Sequence, residues 1–415
     1  MPPKKVVVMD NGKRKAPPEV ATTNGSSKKT KTNGSSDPLR TPHPNAQEAE
    51  ENGIVLRTYY PHEMSNARAL AYNNDELPRP IELLNSELSE TQSQRAKIEV
   101  KDVVVHWFKC DLRTKDNHAL HLASETAKSK GVPLICMYIV SPQDYEAHLT
   151  APVRVDFILR TLDVLKVDLA KLDIPLYVET VEKRKSIPGR ILELLEEWGA
   201  SHLFTNVEYE VDELRREAKL VRECLEKGIA IDVLPDTCVV SPGELTSGTG
   251  KQYAVYTPWY RSWVSHIHGK PNLLDLFDAP KENPSSAREK FSELFDSKVP
   301  DAPKTKKLSA EEKKRFQSMW PAGEEAAHER LKKFAKDRMG DYQARRNFPA
   351  ETGTSSLSAH FACGSLSART AVQTAREHNG TRKLDGGNQG VQTWISEIAW
   401  RDFYKHVLAH WPYVW

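Results

Sequence analysis

The sequence predicts an α/β domain built on a doubly wound, five-stranded parallel sheet, followed by an all-α domain. Short apolar runs alternate with helical stretches between residues 101 and 240, and only helical periodicity continues from residue 321 to residue 415. A hydrophobic content of 39% over 415 residues supplies enough apolar side chains for two cores. These observations favour a two-domain globular protein.

Five apolar runs have the length and composition of buried strands, and they occupy residues 103–107, 132–140, 174–181, 202–207 and 229–234. Helical patterns separate them, for example over 153–172 and 211–226. Strands that alternate with helices predict a parallel sheet with right-handed crossovers, and ligands of such sheets bind beyond the carboxyl ends of the strands. Because no GxGxxG follows the first strand, we do not expect a nicotinamide dinucleotide there.

The remaining segments differ in composition. Residues 1–50 are polar and basic and are predicted to be disordered, since they carry too little apolar surface to fold. We predict a partly ordered extension with short helices over 51–100, an inter-domain connection over 241–320 and a helical domain over 321–415. The first segment holds two basic clusters spaced like a bipartite nuclear-import signal, namely Lys13, Arg14 and Lys15, and then Lys28, Lys29 and Lys31. A solvated tail or a weak nucleic-acid arm is the alternative.

Charge and cysteine usage exclude few functions. The net charge is only +2, so the whole-chain balance does not indicate a nucleic-acid partner, although a local basic surface remains open. The five cysteines are scattered without CxxC spacing, which is typical of reduced thiols in an intracellular protein. Neither a secretory signal nor an apolar run long enough for a membrane helix is present, so no membrane association is expected.

The predicted last helix, residues 391–409, gathers unusual chemistry on one side. At about 100° per residue, two indoles, a phenol, a carboxylate and a guanidinium fall within about one third of its circumference. They belong to Trp394, Glu397, Trp400, Arg401 and Tyr404. Charges mixed with indoles indicate a ligand pocket in which rings stack and charges select. The alternative is an ordinary amphipathic helix with an ion pair between Glu397 and Arg401.

A hydroxyl-rich segment precedes another predicted helix. Thr354, Ser355, Ser356 and Ser358 offer hydroxyls together with the free N–H groups of a helix start. Such groups form a cradle for phosphate, whereas ordinary helix capping is the alternative.

Four blocks in order resemble the photolyase and cryptochrome family. They are "WFKCDLRTKDNHAL" at 107–120, "YTPWYRSW" at 256–263, "YQARRNFPAETGTSSLSAHFACGSLSAR" at 342–369 and "WISEIAWRDFYKHV" at 394–407. The combination of "TSSLS" with "WxxExxWRxFY" is highly specific. The resemblance covers the chain from about residue 101 onward and is closest to class I photolyases that repair cyclobutane pyrimidine dimers, of a fungal-like type.

The resemblance implies roles for individual residues. FAD would be bound by Tyr342, by Thr354, Ser355, Ser356, Leu357 and Ser358, and by Trp394, Glu397 and Arg401. UV-damaged DNA would contact Arg346, Glu397, Trp400, Arg401 and Tyr404, with Glu397 hydrogen-bonded to the damaged base and Trp400 packed against the dimer. The implied reaction is electron transfer from photo-excited reduced FAD to the dimer. A cryptochrome-type photoreceptor that binds FAD without repair is the alternative, and a non-catalytic interaction protein is a third.

The resemblance also implies an antenna chromophore in the α/β domain. His148, Asp212 and Glu213 match positions that hold a reduced folate, 5,10-methenyltetrahydrofolate. Folate-type members usually have Asn where Asp212 stands, so a deazaflavin is the alternative. The family's helical domain normally runs well past the "WRDFYKH" block. We therefore expect a C-terminally truncated FAD-binding domain that retains flavin weakly or not at all and is poorly soluble. We further expect a monomeric nuclear protein that meets the import machinery through its basic tail, with mitochondrial sharing possible.

Overall fold

The structure is a computed structural model that describes residues 65–348 and 350–414. The predicted disordered tail, both basic clusters and the first part of the 51–100 extension lie outside the described residues. All five cysteines are free thiols, four of them buried and Cys110 exposed. Within the described ranges, no helix has the length and apolar character needed to cross a membrane.

A five-stranded sheet forms the centre of the α/β domain. Its strands are β1 (Val103–Phe108), β2 (Leu134–Val140), β3 (Leu176–Thr180), β4 (Ala200–Asn206) and β5 (Ala230–Leu234). Every neighbouring pair is parallel, and the spatial order is β3-β2-β1-β4-β5. The chain moves outward from β1 through β2 to β3, then returns to the other side of β1 for β4 and β5. This order confirms the predicted doubly wound sheet and places its switch point between β1 and β4.

Helices precede the sheet, connect its strands and then build the second domain. They are α1 (Asn66–Asn73), α2 (Pro80–Arg95), α3 (His118–Lys130), α4 (Pro142–Ala147), α5 (Pro152–Ala170), α6 (Ile187–Glu197), α7 (Val211–Glu226), α8 (Tyr256–Gly269), α9 (Ser286–Lys290), α10 (Ser292–Asp296), α11 (Ala310–Met319), α12 (Glu324–Asp337), α13 (Tyr342–Arg345), α14 (Ser358–Cys363), α15 (Ala368–Asn379) and α16 (Gln389–His410). Short 3₁₀ turns occur at Arg184–Ser186, Pro271–Leu274, Lys304–Lys306, Met339–Asp341 and Pro412–Val414.

Both faces of the sheet are covered. Apolar residues of α3 and α5 pack on one face around Val104 and Phe108, and those of α6 and α7 pack on the other around Val103 and Val105. All six side chains of β1 are buried, as expected for a central parallel strand. Local signals fix the helix ends; the side chain of Asn117, for instance, caps α3 by accepting the Leu120 N–H at 3.1 Å.

Side chains also reach the two outer strands of the sheet. Helix α2, in the extension, packs on α7 and β5. From its last residue, Arg95 donates to the carbonyl oxygen of Ile231 at 2.8 Å and to Asp232 at 2.7 Å. On β3, the carbonyl oxygen of Leu176 accepts from Lys166 at 2.8 Å and from Ser297 at 3.1 Å.

The helical domain has its own core, to which α8, α12, α15 and α16 contribute. Helix α8 belongs to this core because Trp259 and Trp263 are fully buried in it. The 241–320 segment, predicted as a connection, therefore also supplies a core helix of the second domain.

A buried cluster of charges joins the two domains. Arg113 and Asp116 follow β1, Asp236 follows β5, and Arg369 lies on α15. Arg113 is ion-paired to Asp236, while Arg369 bridges Asp116 at 2.9 Å and Asp236 at 2.6 Å. Burial alone would raise the pKa of Asp236, but the two guanidinium groups hold it well below its ordinary value.

Candidate active site

The predicted side-chain stripe of α16 overlaps only in part with the face that packs into the core. The buried face runs through Ile395, Ile398 and Asp402, whereas the predicted stripe lies beside it. Trp394 is buried, and its ring lies 5.3 Å from that of Phe334. The other stripe residues are progressively more accessible: Glu397, Trp400 and Arg401 are half-buried and Tyr404 is exposed. The stripe therefore leads from the core of the helical domain to its surface.

Trp400 forms the closest ring stack of the described residues. Its ring centroid lies 3.5 Å from that of Tyr256 on α8, with the planes only 9° apart. The ring of Tyr404 also stacks with that of Trp400, with the centroids 5.6 Å apart. The hydroxyl of Tyr256 hydrogen-bonds the carbonyl oxygen of Ser396 at 2.8 Å, which fixes its ring. Trp400 thus sits in a rigid, partly exposed aromatic surface that suits contact with a planar ligand.

An ion pair lies next to this surface. The guanidinium of Arg346, just after α13, is bonded to the carboxylate of Glu397 on α16, and each side chain is about one third exposed, at 36%. The same guanidinium lies 6.0 Å from the ring centroid of Tyr342, which packs edge-on against Phe334. Burial and the charge of Glu397 raise the pKa of Tyr342. The structure therefore brings Tyr342, Arg346 and Glu397 together, as the sequence-based hypothesis requires.

The hydroxyl-rich turn faces a groove that carries positive charge. Ser355 and Ser356 line it together with Arg330 and Arg338 of the α12 region, and its volume is about 570 Å³. Arg330 donates to the carbonyl oxygen of Ser356 at 3.3 Å. Ser356 adopts a left-handed backbone conformation (φ 54°), which turns the chain into α14. Within the described residues, the hydroxyls of Ser355 and Ser356 have no hydrogen-bond partner, so they are available to a ligand.

Arg401 connects α16 to the helix that follows the hydroxyl-rich turn and to the segment after β5. One of its guanidinium nitrogens donates to the carbonyl oxygen of Thr237 at 2.6 Å, and the other lies 3.4 Å from the carbonyl oxygen of Phe361 on α14. Leu357, inside the turn, is buried in the same core as Trp394. The hydroxyl-rich turn and the stripe of α16 thus share one core through Leu357 and Trp394, and Arg401 bonds the helix that begins at the end of the turn.

A second candidate site lies in the α/β domain. A cavity of about 270 Å³ opens at the carboxyl ends of β1, β2 and β4 and is lined by Trp107, Tyr138 and Ile139 together with polar groups. His148 and Glu213 contribute to this lining, with His148 Nε2 3.0 Å from Glu213 Oε1. The position agrees with the expectation for doubly wound sheets.

Guanidinium groups balance the carboxylates of this cavity. Arg184 pairs with Asp212 at 3.0 Å and with Asp144 at 2.8 Å, which holds Asp212 outside the lining of the cavity. Burial alone would lower the pKa of His148, but its hydrogen bond to Glu213 and the negative charge there raise it. Asp144, His148 and Glu213 also approach one another closely enough to hold a metal ion. However, the guanidinium of Arg184 already occupies the two carboxylates, which disfavours a cation.

Some residues at these sites were missed by sequence reasoning. Asp402 is fully buried and accepts hydrogen bonds from the backbone N–H groups of Val239 and Val240 and from Trp263. Burial raises its pKa to about 6. The helical periodicity of α16 places Asp402 on the apolar face of the helix, and this position was the one sequence signal that Asp402 is buried. Arg184 carried no signal, because its role depends on the approach of three separate segments.

Comparisons with known proteins agree with this geometry. A family model described as DNA photolyase matches residues 104–282. A deoxyribodipyrimidine photo-lyase of Neurospora crassa is 58% identical over 418 residues, which cover 97% of this chain and 68% of the relative. A mitochondrial deoxyribodipyrimidine photo-lyase of Saccharomyces cerevisiae is 30% identical, with 88% of this chain and 66% of the relative covered. The chain thus spans about two thirds of the length of these curated relatives.

Solved structures share the fold at low sequence identity. A bacterial class III photolyase from Agrobacterium tumefaciens superposes with a TM-score of 0.60 at 23% identity, over 76% of this chain and 60% of that one. A Synechocystis cryptochrome superposes with a TM-score of 0.57 at 22% identity, over 75% of this chain and 62% of that one. The fold is thus the two-domain fold of photolyases and cryptochromes. The identity to the Neurospora relative shows that the chain belongs to the DNA photolyase family.

Proposed function

We propose that this protein repairs cyclobutane pyrimidine dimers in DNA by light-driven electron transfer from reduced FAD. The observation that carries the proposal is the meeting of the Arg346–Glu397 ion pair with the Trp400–Tyr256 stack at the surface above buried Trp394. This arrangement offers a planar contact and a charged hydrogen-bonding group side by side. The 58% identity to a deoxyribodipyrimidine photo-lyase supports the choice of substrate.

The residues present fit FAD. The free hydroxyls of Ser355 and Ser356, beside the guanidinium of Arg330, match the acceptor oxygens of a pyrophosphate. Trp394 and Tyr342 supply ring surfaces near the base of the stripe. In the proposed function, bound reduced FAD supplies one electron on excitation and takes it back after the dimer has split.

The chain's own residues bind and orient the lesion. Trp400 packs against the dimer after it has left the duplex, an extrusion that costs a few kcal/mol and least where bases are already unpaired. Glu397 accepts a hydrogen bond from the damaged base, and the guanidinium of Arg346 beside it stabilises negative charge that develops there. Arg346 and other cations near the surface contact phosphates, so binding should weaken as salt rises.

Reconstitution of the 415-residue chain with FAD kept in excess throughout, because we expect this chain to retain flavin poorly, tests the proposal. Dimer-containing DNA is irradiated with blue light, a dark sample serves as reference, and the loss of dimers is measured. We expect loss only in light. A flavin-bound protein that leaves dimers intact would instead select the photoreceptor function, and a chain that binds no flavin would select an interaction protein.

A pair of matched variants tests the role of Glu397. Glu397→Gln should lower the repair rate about tenfold, because a hydrogen bond to a charged group contributes about 1.5 kcal/mol. Glu377→Gln, on the exposed side of α15, should leave the rate unchanged. Equal rates for the two variants would contradict the proposed contact with the lesion.

We propose that the cavity at the carboxyl ends of β1, β2 and β4 binds the antenna chromophore through His148 and Glu213. A reduced folate, 5,10-methenyltetrahydrofolate, fits the imidazole and carboxylate there, and a deazaflavin is the other candidate. Titration of the chain with each chromophore, followed by its absorption, distinguishes them. The Glu213→Gln variant should weaken the binding of the correct one, and unchanged affinity for both would exclude this cavity.

We propose nuclear import through the basic clusters of residues 1–50, and a monomeric protein in solution. A fluorescent fusion of residues 1–50 should accumulate in nuclei, and replacing Lys13, Arg14 and Lys15 by Ala should abolish this. Retention of the altered fusion in nuclei would contradict the proposal. Sedimentation of the full chain measures its oligomeric state.

A further inference from the structure

Five aromatic side chains contact one another in series between the surface and the core of the helical domain. We call them the aromatic series: Tyr404, Trp400, Tyr256, Trp259 and Trp263. Successive ring centroids lie 5.6, 3.5, 6.0 and 6.3 Å apart, and successive planes are within about 32° of parallel. Tyr404 is 63% exposed, whereas Trp259 and Trp263 are fully buried. The series is therefore one continuous path of π-systems from solvent to the interior.

The buried end of the series has proton acceptors. The indole N–H of Trp263 donates to Asp402 Oδ2 at 3.2 Å, and that of Trp259 points to His406 Nδ1 at 3.4 Å. The second oxygen of Asp402 has no hydrogen-bond partner within the described part of the chain. Burial raises the pKa of Asp402 to about 6 and lowers that of His406 to about 4. At neutral pH both groups are therefore largely deprotonated and able to receive a proton.

The middle of the series lacks such an acceptor. The hydroxyl of Tyr256 is bonded to the carbonyl oxygen and the hydroxyl of Ser396, at 2.8 and 2.7 Å. Neither group is a base at neutral pH. A ring that loses an electron becomes a strong acid, so its oxidised form is stabilised only where the proton can be transferred. By this criterion an oxidised Tyr256 is not stabilised and is reduced again by its neighbour, whereas an oxidised Trp263 is stabilised by loss of its proton.

We propose that the aromatic series conducts one-electron oxidation from the exposed Tyr404–Trp400 stack to Trp263. A one-electron oxidant in solution removes an electron from Trp400 or Tyr404. An electron then moves outward along the series, from Trp263 through Trp259 and Tyr256, and refills the oxidised surface ring, which takes back from water any proton it had lost. Trp263, now lacking one electron, transfers its indole proton to the Asp402 carboxylate and becomes a neutral radical. One electron leaves the protein, the oxidant is reduced by one electron, and the proton stays on Asp402.

This activity requires neither flavin nor DNA. It would keep Trp400 and Tyr404, which the proposed function needs intact, from accumulating oxidation damage. Packing alone accounts for the stacks, since aromatic pairs of this geometry stabilise a fold. A buried indole N–H also requires an acceptor for stability alone, so the structural role and the proposed one are separated by the experiment below, for which they make different predictions.

Pulse radiolysis of the full chain with azide radical tests the proposal. Azide radical oxidises indole and phenol rings at the protein surface, and the resulting radicals have distinct absorption bands. We expect a prompt surface radical followed by a first-order rise of a neutral indolyl radical, and the amplitude of this rise should fall several-fold in Trp263→Phe. In Tyr256→Phe, which keeps the ring but makes it harder to oxidise, the rise should be several-fold slower. Peptide mapping should then find several-fold more oxidation at Trp400 and Tyr404.

Tyr177→Phe is the matched control. Tyr177 also carries a hydrogen-bonded hydroxyl and packs against an indole, that of Trp198, but it lies in the α/β domain outside the series. This variant should behave like the wild type, and thermal melts verify that all variants are folded. A wild-type protein without the delayed rise would overturn the proposal. A rise that is unchanged in both Tyr256→Phe and Trp263→Phe would also overturn it and leave packing as the role of the series.

Discussion

Removing Arg369 should uncouple the two domains and destabilise the whole chain. Its buried guanidinium donates to the side chains and backbone carbonyls of both Asp116 and Asp236 and lies 5.1 Å from the ring centroid of Phe277. Truncating one member of a buried ion pair costs about 3–5 kcal/mol, because the partner charge stays buried without compensation. Asp236 keeps a second guanidinium in the variant. We therefore expect Arg369→Ala to lower the free energy of unfolding by about 3 kcal/mol, the lower end of that range.

Urea unfolding followed by tryptophan fluorescence measures this loss. Arg376→Ala, on the same helix but partly exposed, is the control and should change the free energy of unfolding by no more than about 0.5 kcal/mol. Because the folded-state pKa of Asp236 is lowered, the stability it contributes is present above its unfolded pKa of about 4 and is lost as pH falls further. The gap between wild type and Arg369→Ala should narrow in acid. A loss below about 1 kcal/mol at neutral pH would refute this account of the junction.

Three further changes have defined outcomes. Gly390→Ala places a methyl group against backbone carbonyl oxygens of the 3₁₀ turn Met339–Asp341 and should destabilise the fold by about 1–3 kcal/mol in thermal melts. In Gly248→Ala the added methyl group meets open space, so this variant should be neutral. Asp402 has a raised pKa, so its contribution to the free energy of unfolding is full below its unfolded pKa of about 4 and is lost as pH rises through about 6. Asp402→Asn should remove this slope in urea titrations, and an unaltered slope would contradict the raised pKa. Glu213→Gln should lower the pKa of His148 in an NMR titration, because the burial that opposes its charge remains while the carboxylate is gone; an unchanged or higher value would be inconsistent with the pairing.

The sheet could be predicted from sequence because its signals are local. The apolar run Val103–Phe108 and the helical pattern Val211–Glu226 each reveal their structure within one segment. The candidate site was harder to predict, since Arg346 and Glu397 are 51 residues apart and Tyr256 and Trp400 are 144 apart in the numbering. Only the family resemblance proposed these residues as one site, and it said nothing of the stack between Tyr256 and Trp400.

Helix periodicity was informative about α16 but incomplete. It identified the stripe from Trp394 to Tyr404 correctly as one side of the helix. It could not show that the neighbouring buried face holds Asp402, because a buried carboxylate is stabilised by donors from elsewhere in the chain. The Pro- and Lys-rich composition of 241–320 likewise concealed helix α8, whose burial depends on a core assembled from segments up to 147 residues away.

The side chains that bind the two outer strands of the sheet affect whether copies of the chain can associate by strand pairing at high concentration. An unprotected outer strand offers a row of main-chain donors and acceptors on which a strand of another molecule can add, which is how many α/β proteins aggregate when partly unfolded. Here the guanidinium of Arg95 occupies a carbonyl group of β5, and Lys166 with Ser297 occupies one of β3. Strand addition at either end of the sheet must first displace a charged donor, so the native α/β domain resists fibril-like growth while its extension helix stays docked.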